Sequence, residues 1–306
     1  MSGPGAGFEH KPKDVTWNKR DSLLFALSIG ADIDELHFVF ENAPNFQAFP
    51  TYANILPIKG TSQDVIDFGK SVISERIPGV PELKPNRIID AHRAMTWYKA
   101  LPASSEGRSF ELQTKVIGVY DKGKAGTVLE QETVLREKAS KEPYVKLVGS
   151  TFFIGQGNWG GPKGNPASFP PPKDKKPDGV ETHQTTTQTP LIYRLNGDYN
   201  PLHVTADQGK AMGFGGAIMH GLFTYNIAAH SVLKNVGKSD PANLRHFSAR
   251  FQAPVKPGDK LVTEIWRTGE FEDGFEEVRF VTSVESGKVV LSNGRALVRT
   301  GGESKL

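Results

Sequence analysis

The feature that most constrains this 306-residue chain is that its pattern of elements occurs twice. The two copies flank a Gly- and Pro-rich stretch at about 155–183. Each opens with a short apolar helix, LLFALSIGAD in the first and LIYRLNGD in the second. A second apolar stretch follows, FPTYANIL and then MHGLFTYNIAAHSVL. Next comes a strand running into a proline turn, AMTWYKALP and ARFQAPVKP. Three alternating strands close each copy: FELQTKVIGVY, AGTVLEQETVL and YVKLVGSTFFI, then KLVTEIWRTGEF, FEEVRFVTSV and VVLSNGRALVR. Their period of two, with turns such as YDKGKAG and ESGK, predicts antiparallel strands. A helix apolar on most faces must be buried. The pattern therefore predicts an α+β fold of two repeats, each an antiparallel sheet wrapped around one long central helix. The boundaries expected are residues 1–155 for the first repeat, 156–183 for a linker, 184–301 for the second repeat and 302–306 for a flexible tail.

Composition excludes several alternatives. The chain has no cysteine, so disulfides, thiolate metal sites and cysteine nucleophiles are out. A net charge of +3 is too mild for a nucleic-acid partner, which needs a dense basic face. No apolar run is long enough for a membrane span. The linker contains GQGNWG, which fits the dinucleotide fingerprint G-x-G-x-x-G. That fingerprint needs a helix directly after it, and Pro162, Pro166 and Pro170 stand there instead. The last residues, Ser304-Lys305-Leu306, read as a peroxisomal address recognised by an import receptor, so a peroxisomal location is expected.

The chemistry-bearing stretch is RLNGDYNPLH, Arg194 to His203. Gly197 suits the position after a helix started by Thr189-Pro190, and Asn200-Pro201 forces a turn. The turn lets Asp198 and His203 approach each other. A histidine and a carboxylate can exchange protons with a water, and Asn200 can orient that water without ionising. Taken alone, the stretch reads more readily as turn residues beside a surface or core histidine. A second feature adds weight: GFGGAIMHGLFT puts Gly221 at the start of the long second-repeat helix. Backbone N–H groups there have no intrahelical partner and carry partial positive charge. Glycine lets a substrate oxygen come close, which suits a carbonyl that gains negative charge. The first repeat has an echo, GADIDELH, with Asp32 and His37 at the spacing of Asp198 and His203. It lacks the Gly, the Asn-Pro and the helix-leading Gly, so it is expected to be non-catalytic.

YRLNGDYNPLH, KAMGFGGAIMHGL and ARFQAPVKPGDKLVTEIW resemble the MaoC-like (R)-specific enoyl-CoA hydratase family, the enoyl-CoA hydratase 2 type in particular. DELHFVFE, FPTYANIL, WYKALP and YDKGKAG extend the resemblance through the first half. It implies a double hot-dog fold and hydration of trans-2-enoyl-CoA to (3R)-3-hydroxyacyl-CoA. It implies no metal and no cofactor beyond the CoA of the substrate. Carried over by position, Asp198 and His203 are the acid/base pair, Asn200 helps hold the water and the Gly221 N–H binds the thioester oxygen. The first repeat makes room for long acyl chains. Gly197 and His220 are expected to line the substrate. Lys210, Arg250 and Lys256 are candidates for the CoA phosphates, although solvated faces explain them equally well. A homodimer is expected.

Two departures from the family pattern stand out: Val204-Thr205-Ala206 follow His203, and Asp90-Ala91-His92 replaces a His-Gly-Glu or His-Gly-Gln segment. Rival readings are a hot-dog acyl-CoA thioesterase, a non-catalytic acyl-CoA binding protein, and a dehydratase of fatty-acid synthesis. The thioesterase is disfavoured because Leu222 to Val236 contains no Asp or Glu.

Overall fold

In the computed structural model, residues 3–71, 76–165 and 167–300 are described. Ten strands form one antiparallel sheet: β1 Lys13–Val15, β2 Ile88–Trp97, β3 Phe110–Asp121, β4 Gly126–Glu137, β5 Pro143–Ile154, β6 Gly179–Gln184, β7 Leu244–Phe251, β8 Lys260–Glu272, β9 Phe275–Val284 and β10 Val289–Val298. Their order across the sheet is β1-β3-β4-β5-β2-β7-β10-β9-β8-β6. The order is a mirrored pair. Each half has a short edge strand, three long strands and one strand at the centre. β2 and β7 join the halves, with His92 opposite Arg250 and Thr96 opposite His246. This is the double hot-dog arrangement.

The helices are α1 Lys19–Ser28, α2 Leu36–Val39, α3 Leu56–Lys59, α4 Phe68–Ser71, α5 Thr189–Tyr193, α6 Ala206–Ala211 and α7 Gly221–Gly237. α7 is the central helix expected for the second repeat. Residues Leu222 to Leu233 are buried without interruption, which explains why no face of it reads as polar. Tyr225 fixes it to the sheet through a hydrogen bond from its hydroxyl to the Phe247 carbonyl, 2.8 Å.

The first repeat departs from expectation, because among the described residues it has no long central helix. A 3-10 turn at Pro50–Asn54 and the four residues of α3 stand in its place. Pro57 is the cause: inside a helix it would lack the N–H for the Ala53 carbonyl and its ring would clash there. Gly60, at φ 60°, then ends the segment. The apolar residues are nonetheless core, with Tyr52, Ala53, Ile55 and Leu56 fully buried. They pack with Phe25, Phe49 and Trp17 into one cluster continuous with Phe223, Tyr225 and Phe247 of the second repeat.

The stretch expected as a linker is pinned down. Asp121 Oδ1 accepts from the N–H of Gly123 and of Asn158, and Oδ2 from that of Gly160, each at 2.8 Å. Burial works to raise the Asp121 carboxyl, but these backbone N–H groups hold it below its ordinary value. GQGNWG is thus a loop folded on a carboxylate, and no helix stands directly after it among the described residues. Further on, the Arg279 guanidinium lies 4.7 Å from the Phe169 ring. Residues 179–183, assigned to the linker by composition, begin β6 and pair with β8. The tail, Ser304 to Leu306, lies outside the described residues.

Candidate active site

The site is assembled by a sequence of tight turns. α5 starts one residue earlier than expected, with Gln188 at the cap position and Pro190 inside the first turn. The Thr189 hydroxyl accepts from the Thr186 N–H rather than capping the helix. A 3-10 turn, Arg194–Asn196, runs into Gly197 at φ 133°, a conformation that strains any residue with a Cβ. A Cβ at Gly197 would also stand 2.9 Å from Lys59 Cβ. Asp198 Oδ1 accepts from the Asn200 N–H at 3.2 Å, and Asn200 Oδ1 accepts from the Leu202 N–H at 3.0 Å. Asn200 therefore caps the 3-10 turn Pro201–His203 with its oxygen, which leaves the amide NH2 as its end for a ligand.

The turns bring the sequence-predicted residues together. Asp198, His203 and His220 each offer a donor atom, and these atoms lie within 4.8 Å of one another. His203 and His220 are stacked, with ring centroids 3.8 Å apart. His203 Nδ1 lies 2.9 Å from the Ile218 carbonyl, so we assign the proton to Nδ1 and the lone pair to Nε2. His220 Nε2 lies 3.2 Å from the Asp198 carbonyl and carries its proton there by the same reasoning. His220 is fully buried, with Tyr193 at 4.9 Å on its other flank. It forms the wall behind the pair. The cluster is also a donor set that could hold a divalent cation.

Gly221 is the first residue of α7. Phe223 and Thr224 donate to the His220 carbonyl, so the Gly221 and Leu222 N–H groups are the ones left at the helix start. A Cβ on Gly221 would reach the Phe251 ring at 3.3 Å. Glycine therefore leaves open the strip between helix and ring.

Electrostatics push the pair away from full charge. Burial raises the Asp198 carboxyl, and the Asp90 carboxylate adds to this, against the pull of His203 and the Asn200 N–H. Burial lowers His203, while Asp198 and the Ile218 carbonyl pull it back. Burial, then His203, hold His220 well below its ordinary value. A carboxyl shifted up beside an imidazole shifted down is the pairing that general acid/base chemistry near neutral pH uses.

The other expected residues divide. Lys210 is exposed on α6, just after the His203 turn. Lys256 is exposed in a loop whose neighbour Val255 accepts from the Met219 N–H at 2.8 Å, close to the start of α7. Arg250 is not brought to the site. β7 turns Phe247 and Ala249 toward the helix and Arg250 to the opposite, exposed face. What sequence reasoning missed is Asp90, whose charge reaches Asp198, His203 and Tyr193 from the other repeat. Its signal was the departure Asp90-Ala91-His92 itself.

Comparison with known proteins places the chain by family and fold. Residues 168–290 match the model of a MaoC like domain and residues 15–155 that of the MFE-2 hydratase 2 N-terminal domain. The chain is 44% identical to a probable dehydratase, NIT22, of Ajellomyces capsulatus, over 95% of this chain and 81% of that one. It is 34% identical to a probable enoyl-CoA hydratase 2 of Dictyostelium discoideum, over 94% of each. The solved MaoC-like dehydratase of Phytophthora capsici superposes with a TM-score of 0.83 at 32% identity, covering 95% of this chain and 96% of that one. By sequence and by fold alike, the chain belongs to the MaoC-like hydratase family of hydro-lyases.

Proposed function

We propose that the chain hydrates trans-2-enoyl-CoA to (3R)-3-hydroxyacyl-CoA. The observation that carries this reading is the pair of half-buried Asp198 and buried His203, held within 4.8 Å and shifted toward neutrality beside the Gly221 end of the central helix. The thioester oxygen sits on the Gly221 N–H, which stabilises the negative charge that grows there as the double bond polarises. Water lies between the pair and the Asn200 amide. His203 Nε2 takes a proton from the water as its oxygen bonds to Cβ. The Asp198 carboxyl gives its proton to Cα. The proton on His203 then returns to Asp198, and the site is restored. Both transfers come from one side, so the addition is syn. No metal or redox cofactor enters the steps. Lys210 and Lys256, both exposed, are the cations we assign to the CoA phosphates.

The test is incubation with trans-2-decenoyl-CoA, loss of enoyl absorbance and chiral analysis of the product. A (3S) product, or Asp198→Ala with near-full activity, would sink the proposal. Release of free thiol in place of hydration would point to a thioesterase, a reading that α7 disfavours because it carries no carboxylate. The Ser304-Lys305-Leu306 ending supports import into peroxisomes, and with it a part in fatty-acid β-oxidation. Removing the three residues should leave the protein in the cytosol. A homodimer is part of the same reading, and its mass in solution tests that.

A further inference from the structure

The pairing of β2 with β5 contains a bulge. Asp90 lies opposite Thr151 and His92 opposite Ser150, with Ala91 between them. In an unbroken strand, residues three apart point to opposite faces. The bulge puts Asp90 and Arg93 on one face, where Arg93 Nη2 donates to Asp90 Oδ1 at 2.8 Å. That face is the inner one, shared with Met95 and Trp97 of the core. Opposite Arg93 on β5 is Gly149, where a Cβ would stand 2.7 Å from an Arg93 guanidinium nitrogen. The glycine lets the guanidinium lie flat across the sheet. Its Nε is buried and meets no acceptor among the described residues.

A seam of buried polar groups also lies between the turn of the first repeat and α7. Thr51 and Asn54 stand on the turn that replaces the first central helix, and Thr224 and Asn226 on α7, all buried. The turn packs against α7. Thr51 Oγ1, both amide atoms of Asn54, Thr224 Oγ1 and Asn226 Oδ1 have no partner among the described residues. Thr224 lies one helical turn beyond Gly221. Asn226 Nδ2 donates to the Tyr193 hydroxyl at 2.9 Å, and the Tyr193 ring flanks His220. The seam is therefore continuous with the catalytic cluster. Each buried polar atom left unpaired costs about 1–3 kcal/mol. A plain hydrocarbon chain would leave all of them unpaired, whereas oxygen atoms along the chain would pair them.

We propose that the acyl chain accepted by this site carries neutral oxygen substituents, hydroxyl or keto groups, bonded by Arg93 and by the Thr51, Asn54 and Thr224 seam. This rests on the hydratase reading and names its substrate class. Neutral oxygen fits better than a carboxylate, because Asp90 already balances the Arg93 charge.

The experiment compares kcat/KM for trans-2-decenoyl-CoA with its 5-, 7- and 9-hydroxy and 5-, 7- and 9-oxo forms. At least one oxygenated form should be preferred by tenfold or more. Arg93→Gln and Asn54→Leu should each cut that preference ratio at least fivefold. Thermal melting accompanies both variants. Asn54→Leu removes two unpaired atoms and should melt no lower than the parent, so its loss of preference would not be a loss of fold. The proposal is overturned if decenoyl-CoA outruns every oxygenated form, or if both folded variants keep the parent ratio. Hydration of none of the thioesters would bring down the hydratase reading with it.

Discussion

The segments Gly30–His37 and Gly197–His203 have a carboxylate and a histidine at the same spacing, and both follow a short apolar helix. Their surroundings separate them. Asp32 is exposed and accepts from the Asp34 N–H at 3.0 Å, as a turn residue does. His37 Nε2 meets the Ser239 carbonyl just past the end of α7, at 2.7 Å. Between them, buried Glu35 bonds to His230 of α7 at 2.6 Å. Burial works against the Glu35 charge, but the bond and charge of His230, joined by a bond from Ser239 and the charge of Lys234, hold the carboxyl below its ordinary value. One segment thus grips the C-terminal half of the central helix, while the other meets its N-terminus. Where a carboxylate and a histidine at that spacing close on one another beside a helix start, they form the pair to which we assign acid/base chemistry; in the first repeat the same spacing goes into a clamp.

The comparison can be broken most forcefully at the pair. Asp198→Ala and His203→Ala should each lower kcat by about 10²–10⁴-fold in a steady-state hydration assay, as for a lost acid/base group. Gly221→Pro should come next. Proline suits the first helical position but removes the N–H, so kcat should fall by about 10²–10³-fold while the protein remains folded by circular dichroism. At the clamp the expected loss is one of stability. His230→Leu takes away the main partner of buried Glu35, leaving it Ser239 and the charge of Lys234, and should lower the unfolding free energy in urea by about 3 kcal/mol. If it lowered kcat as Asp198→Ala does in protein that is still folded, the division between clamp and chemistry would be wrong.

A smaller effect is expected from acid. Burial, then Arg93, hold His92 down at about 4, and burial, then Arg295, do the same for His246. Burial also lowers His183 and His203. The unfolded chain takes up protons at these groups near pH 6.5, where the folded chain refuses them. Stability should therefore fall as pH drops from 7 toward 5, by about 2 kcal/mol after allowance for partial exposure, and level off below about pH 4 for His92 and His246. Melting temperatures across that range check it. The smallest effect belongs to Asp32→Asn, an exposed turn residue, with kcat within about twofold of the parent.

Much of this was legible in the chain because period and turn chemistry are local. The strands from Phe110 to Ile154 and from Lys260 to Val298 follow from alternation. The turn at Asn200-Pro201 follows from proline sterics, and α7 from its apolar breadth. The first central helix is not legible because an apolar stretch signals burial without fixing helicity. Pro57 decides the conformation, while Tyr52 and Leu56 are buried whichever conformation wins. β6 was hidden at the end of a linker because an edge strand with exposed Val180 has little apolar content to announce it. The contribution of Asp90 depends on a bulge and on a strand junction between repeats, neither of which a single sequence pattern encodes.

The β2–β7 junction has one more consequence. A site assembled from two separate chains fades on dilution, since its halves part at their dissociation constant. Here the halves are two stretches of one chain, and their effective concentration is set by covalent connection. Catalysis per molecule should be indifferent to protein concentration however dilute the sample, even where any pairing between whole chains has been lost. Permanence of that kind also frees the two repeats from symmetry: the second has a long central helix with Asp198 and His203 gathered at its start, while among the described residues the first has no such helix, and every molecule still contains one of each.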